Sequence, residues 1–169
     1  KTHLSSRDTL VVYTPAIPEE HRQLNYFQEN NFQVLKRSEV LGLITRFNKA
    51  LCVAGTHGKT TTSAMLSHVL SQTDHGCSAF LGGISSNFNS NVLINKQSDW
   101  TVVEADEFDR SFLQLSPFFS IITAMDPDHL DIYGDQDHFN DGFQQYAMKI
   151  DPNGCCIVKE GINLHTLSE

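Results

Sequence analysis

The sequence predicts an α/β fold, a mainly parallel sheet with crossover helices built around a phosphate-cradling loop. Three observations carry that prediction. Short apolar runs alternate with segments whose apolar residues recur at helical spacing, the pattern of strands joined by crossover helices. One run, Leu51-Cys52-Val53-Ala54, passes straight into Gly55-Thr56-His57-Gly58-Lys59-Thr60-Thr61-Thr62 and then an amphipathic segment. Two further apolar runs, Trp100–Val103 and Phe118–Thr123, end in acidic and polar clusters. In an open parallel sheet, ligands collect outside the carboxyl ends of the strands, where all three clusters would lie.

The elements follow in order. Leu10-Val11-Val12-Tyr13 reads as a short buried parallel strand, and Pro15 and Pro18 break the chain after it. Residues 19–30 read as a helix with Leu24, Phe27 and Gln28 at one-turn spacings. Phe32-Gln33-Val34-Leu35 is a weak strand, and Ser38 is a plausible N-cap for a helix carrying Val40, Leu41, Leu43, Ile44 and Phe47. These residues form the tail of one α/β unit. From Lys49 the pattern restarts: the strand into Ala54, then a helix with Ala64, Met65, Leu66, Val69 and Leu70 on one face, ending before Gly76. Ser78–Leu81 is strand-like and meets Gly82-Gly83; a polar loop over 85–91 precedes a short strand at Val92–Ile94. Phe139, Phe143, Tyr146, Ala147 and Ile150 mark a late helix, Asp151-Pro152-Asn153-Gly154 a turn, and Cys155–Val158 a last strand.

Bulk properties bound the function. A chain of 169 residues can bury one good core, or form one domain and part of another. A net charge of -8 argues against a non-specific nucleic-acid binder while leaving room for a local nucleotide site. No apolar run has the length of a membrane span and no secretory signal opens the chain, so no membrane partner and a cytoplasmic location are expected. Cys52, Cys77, Cys155 and Cys156 form no C-x-x-C pair and fit buried free thiols in a reducing compartment better than disulfides or zinc.

The chemistry begins at the loop. Glycines let backbone N–H groups approach a phosphate, and the helix start after them offers more free donors. Lys59 supplies a point charge for the outer phosphates and Thr60 a hydroxyl for Mg²⁺. The common spacing G-x-x-x-x-G-K-[ST] would need glycine at Val53; this loop, G-x-x-G-K-T from Gly55, is two residues shorter. The second strand end delivers Glu104-Ala105-Asp106-Glu107-Phe108-Asp109, an acid directly after an apolar strand, as in many Mg²⁺-holding sites. The third delivers Met125-Asp126-Pro127-Asp128-His129-Leu130-Asp131. Each cluster alone also reads blandly: a Gly/Thr-rich turn, a solvated strand end, Asp128 as an N-cap with His129 a surface histidine, and Gln144 and Gln145 as a helix's wet face. Three together, each on a strand end, favour a nucleotide and metal site.

Residues 54–62 resemble the ATP-loop signature of the Mur ligases, the ATP-dependent amide ligases of peptidoglycan precursor synthesis, which share the shortened loop. Val103–Leu113, residues 126–134 and Val11–Pro18 with Glu19 extend the resemblance to nearly the whole chain. It implies the branch acting on UDP-N-acetylmuramate with L-alanine, with two alternatives: addition of a preformed tripeptide, or a non-ligase P-loop ATPase. Phe108 stands where serine is common in that branch. The resemblance implies a P-loop-type central ATPase domain at residues 48–169, truncated, preceded at 1–47 by the tail of a Rossmann-like UDP-sugar-binding domain. Such a piece would be inactive alone. It also implies that backbone groups of Gly55, Thr56, His57, Gly58, Lys59, Thr60 and Thr61 cradle ATP, with Lys59 and His129 catalytic. Thr60 and Glu104 would hold one Mg²⁺, and His129, with Glu104, a second. Asn87 is a candidate sugar contact, or simply part of a polar loop.

Overall fold

The computed structural model describes residues 5–18, 20–126 and 135–164. The first elements form a small α/β unit. Strands β1 (Leu10–Tyr13) and β2 (Gln33–Lys36) pair in parallel, Leu10 opposite Gln33 and Tyr13 opposite Lys36, with helix α1 (Arg22–Glu29) between them in sequence. Leu10 and Val12 are exposed, against the buried strand expected. A continuous apolar run reads the same whether one or both faces are covered, and here Val11 and Tyr13 alone turn inward. Helix α1 starts later than expected because His21 caps it, Nδ1 accepting the Leu24 N–H at 3.4 Å.

Helix α2 (Arg37–Phe47) corrects the Ser38 cap: Lys36 holds that position, and its N–H donates to Glu39 Oε2 at 2.6 Å. Ser38 therefore lies within the helix. Gly42 lets α2 approach the chain at Gln114 closely, since a Cβ there would sit 2.5 Å from the Gln114 carbonyl oxygen. Thr45 Oγ1 accepts the Ser116 N–H at 3.0 Å across the same contact.

The main sheet contains β3 (Lys49–Ala54), β4 (Ser78–Ser85), β5 (Ser90–Leu93), β6 (Trp100–Glu104), β7 (Phe119–Ile122) and β8 (Cys155–Val158), in spatial order β5-β4-β6-β3-β7-β8. Every pairing is parallel except that of β4 with β5. That hairpin replaces the loop expected over 85–91: β4 runs on through Gly82-Gly83, and the turn at 86–89 closes with Asn89 at φ +50°. Central strands carry apolar side chains on both faces, as buried parallel strands must.

Helix α3 (Lys59–Ser71) covers one face, setting Ala64, Leu66 and Leu70 against Cys77, Ala79, Leu81 and Val102. Ser63 and Ser67 are fully buried on α3; their hydroxyls donate back to the carbonyls of Lys59 (2.8 Å) and Ser63 (2.6 Å), so small side chains face the sheet without unmet polar atoms. Helix α4 (Gln136–Ala147) packs on the other face, where Phe139, Phe143 and Tyr146 meet Phe112. Phe112 stacks on Tyr146 with ring centroids 4.9 Å apart. All four cysteines are free, but only Cys52 and Cys77 are buried; Cys156 is half-buried and Cys155 exposed, because alternate residues of an edge strand face outward. Among the described residues no helix is long and apolar enough to cross a membrane.

Candidate active site

The strand order sets β6, β3 and β7 side by side, so the three polar clusters predicted at strand ends meet at one edge of the sheet. The loop after β3 is pressed onto the chain leaving β7. Gly55 lies at φ +126°, and a Cβ there would meet Thr123 Oγ1 and approach the Ala124 backbone nitrogen to 2.7 Å. Only glycine fits that position. Thr56 donates its N–H to the Ala124 carbonyl at 3.1 Å, and its hydroxyl accepts the Asp126 N–H at 3.2 Å. Thr123 Oγ1 donates to the carbonyls of Ala54 and His57, pinning both sides of the loop. Gly58, at φ +80°, opens α3, whose first backbone bond runs from the Thr62 N–H to the Gly58 carbonyl at 3.0 Å. The N–H groups of Lys59, Thr60 and Thr61 thus precede the helical ladder, where an anion finds donors and the positive end of the dipole.

Lys59 and Thr60 leave the helix start in two directions. Lys59 Nζ donates to the Gly55 carbonyl at 2.8 Å and to Glu107 Oε1 at 2.9 Å, with Glu107 Oε2 at 2.7 Å. Thr60 Oγ1 donates to Glu104 Oε1 at 3.1 Å, and the Gly82 N–H donates to Glu104 Oε2 at 2.8 Å. A hydroxyl and a carboxylate held side by side are hard oxygen donors of the kind Mg²⁺ takes, so this pair fits the divalent ion the sequence suggested. His57 Nε2 lies 3.8 Å from Asp126 Oδ2, with both side chains mostly exposed.

The structure therefore brings together Lys59, Thr60 and Glu104 with the loop backbone from Gly55 to Thr61. Asn87 sits exposed in the turn of the β4–β5 hairpin, and among the described residues no hydrogen bond ties it to that group. His129, with Asp128 and Asp131, lies outside the described residues. Two participants were missed. Glu107, 1% exposed, sat in a run of acids that reads as solvated, and nothing local separates it from Asp106 and Asp109. The Gly82 N–H was missed because a glycine pair in a strand reads as a break. Gln144, read as part of a wet helix face, lines with Asp126, Asp137, Asn140, Asp141 and Lys159 a cavity of about 670 Å³ beyond β7 and β8.

Residues 53–165 match the Mur ligase middle domain. The chain belongs to the Mur ligase family. This Mur ligase chain is 55% identical over 160 residues to UDP-N-acetylmuramate–L-alanine ligase of Parabacteroides distasonis, covering 95% of this chain and 35% of that protein. It is 57% identical over 156 residues to the ligase of the same name from Phocaeicola vulgatus, covering 92% and 34%. It thus spans about a third of the length of those curated relatives. Among solved structures, the UDP-N-acetylmuramate-alanine ligase of Thermotoga maritima superposes with a TM-score of 0.78 at 27% identity, over 96% of this chain and 38% of that one. A Neisseria UDP-N-acetylmuramate:L-alanyl-gamma-D-glutamyl-meso-diaminopimelate ligase reaches the same TM-score at 24% identity, over 90% and 52%, and shares the fold.

Proposed function

We propose that this chain supplies the ATP-handling part of a ligase that joins L-alanine to UDP-N-acetylmuramate, a step of peptidoglycan precursor synthesis in the cytoplasm. The observation that carries the reading is the grouping of Lys59, Thr60 and Glu104 around a loop only glycine can form, in a chain so similar to relatives of that name. Residues 1–47 are assigned to the end of a UDP-sugar-binding domain, supported by the separate β1–β2 sheet, and 48–169 to the central domain.

The muramate carboxylate oxygen attacks the γ-phosphorus, the bond to the β-phosphate oxygen breaks, and an acyl phosphate forms. The alanine amine then attacks the acyl carbon and inorganic phosphate leaves with the carboxylate oxygen. Both steps gather negative charge on oxygen, so fixed donors and cations matter more than a protein nucleophile. The N–H groups at the start of α3 bind the phosphates, and the Lys59 ammonium meets the transferred group. Thr60 and Glu104 would hold Mg²⁺, which would supply positive charge to offset that of the phosphates. His129 is retained as a further ligand by its place in the sequence motif.

The test is phosphate release from ATP by the full-length protein with UDP-N-acetylmuramate and either L-alanine or the tripeptide. Release that needs the sugar nucleotide and L-alanine is expected, and Lys59→Ala should lower kcat by about 10²-fold or more. Release with the tripeptide alone would move the protein to a recycling role. Turnover indifferent to the sugar nucleotide would reduce it to an ATPase.

A further inference from the structure

The contact that the proposed reaction leaves unexplained is the one beneath Lys59. The Lys59 side chain is 14% exposed and that of Glu107 1%, so the pair is a desolvated ion pair at the base of the phosphate loop. Glu107 is carried by the turn after β6, where the Arg110 N–H donates to the Glu107 carbonyl at 3.0 Å and the Phe112 N–H to the Asp106 carbonyl at 2.9 Å. Asp109 and Arg110 then take left-handed conformations, φ +51° and +54°, in the 3₁₀ segment Phe108–Gln114. That segment is anchored by Phe112, fully buried between Phe143 and Tyr146. The carboxylate is thus fixed by the core of the domain rather than by solvent-exposed chain.

An ammonium has three donors. Lys59 commits one to the Gly55 carbonyl and one to Glu107 Oε1, with the second carboxylate oxygen also within contact distance. These contacts hold Nζ across the loop between Gly55 and the strand-end acid, while the adjoining Thr60–Glu104 pair is held separately by Gly82. A flexible four-carbon side chain carries large rotamer freedom, and fixing it in advance removes an ordering cost from the reaction.

We propose that Glu107 is a positioning residue for Lys59. It holds the ammonium at the loop, so that the charge is in place when the γ-phosphoryl group transfers. The proposal rests on the reading of Lys59 as the group that meets the transferred phosphoryl. It predicts a loss concentrated in the chemical step rather than in nucleotide capture, because the backbone cradle that binds the phosphates does not depend on Glu107.

The experiment uses the full-length enzyme and compares Glu107→Gln and Glu107→Asp with the unaltered protein. Steady-state kinetics are paired with acetylation of Lys59 by an amine-reactive ester, read by peptide mass mapping against the exposed Lys96. Glu107→Gln keeps the shape and one acceptor but removes the charge. It is expected to lower kcat by about 10- to 100-fold with KM for ATP changed less than about 3-fold, and to raise the labelling of Lys59 relative to Lys96. Glu107→Asp keeps the charge at shorter reach and should recover part of kcat and part of the protection. Unchanged kcat in Glu107→Gln would overturn the proposal. So would a fall in kcat that tracks a lowered melting temperature while Lys59 stays as protected as before, since that is the signature of a purely structural acid. If Glu107→Gln does not fold, Glu107→Asp alone decides: retained kcat with Lys59 labelled freely overturns the proposal, and a matched fall in kcat and protection supports it. An unaltered enzyme without sugar-nucleotide-dependent turnover would overturn the ligase reading itself, while the labelling comparison would still report whether Glu107 holds Lys59.

Discussion

Gly82 has no side chain, yet it governs where the Glu104 carboxylate sits. A Cβ there would lie 2.6 Å from Glu104 Cδ, so Gly82→Ala must push the carboxylate away from the Thr60 hydroxyl. The Mg²⁺ concentration for half-maximal turnover should rise about 10- to 100-fold, as for other outer-shell changes at metal sites, and a magnesium titration of the variant checks it. Gly55→Ala meets the Ala124 backbone as well as Thr123 Oγ1 and requires a positive-φ alanine, so destabilisation of about 1–3 kcal/mol or more is expected in urea denaturation. Cys52 makes a different kind of prediction. Burial pushes its thiol from the ordinary 9.0 up to about 12, with the Tyr146 hydroxyl opposing weakly. The fold holds the neutral thiol, so this contribution is complete below pH 9 and is lost as pH rises from there toward 12. Urea denaturation at several alkaline pH values should show stability falling, less steeply in Cys52→Ala, and iodoacetamide should label exposed Cys155 but not Cys52 in the native protein. At this scale the residues that the sequence singled out and the structure groups together, Lys59, Thr60 and Glu104, are those whose type and spacing suggest chemistry. Glu107 and Gly82 join them through a buried carboxylate and a backbone N–H, which no spacing encodes.

The elements that were legible are those with a period. The alternation of apolar runs located β3, β6, β7 and β8, and the 3.6-residue spacing located α3 and α4. Boundaries slipped where a side chain intervened, as Glu39 does at the start of α2. The β4–β5 hairpin was hidden by the glycine pair and by the short polar turn between the strands. The 3₁₀ segment Phe108–Gln114 has no period at all, although it sets Glu107 in place. Its anchor is Phe112, which is fully buried, stacked on Tyr146 and edge-on to Phe143 of α4. Phe112→Ala should cost about 3–5 kcal/mol, read from urea denaturation, because it removes a large side chain from a packed face. Since Glu107 caps the start of the segment, the same substitution should also raise the labelling of Lys59, linking the stability of one element to the state of the site.

For the whole molecule, the arrangement that matters is the sheet order. The connection from β3 through α3 to β4 passes over β6, while β7 lies on the opposite side of β3, so β3 is flanked by the two strands whose ends carry Glu104 and Thr123. Their carboxyl ends face the same edge because all three strands are parallel. This is the crevice where open α/β sheets bind ligands, and here it holds the Gly55–Thr61 loop, a carboxylate–hydroxyl pair and a half-buried lysine. The sequence showed that three strand ends bear polar clusters; that they are neighbours follows from crossovers that no local pattern specifies. The most direct measurement of the central claim follows the oxygen. UDP-N-acetylmuramate labelled with ¹⁸O in its carboxylate is incubated with ATP, Mg²⁺, L-alanine and the full-length protein, and the inorganic phosphate is analysed by mass spectrometry. Transfer through an acyl phosphate predicts one ¹⁸O in each phosphate released. Unlabelled phosphate, with all the label left in the sugar nucleotide or its amide, would contradict the account.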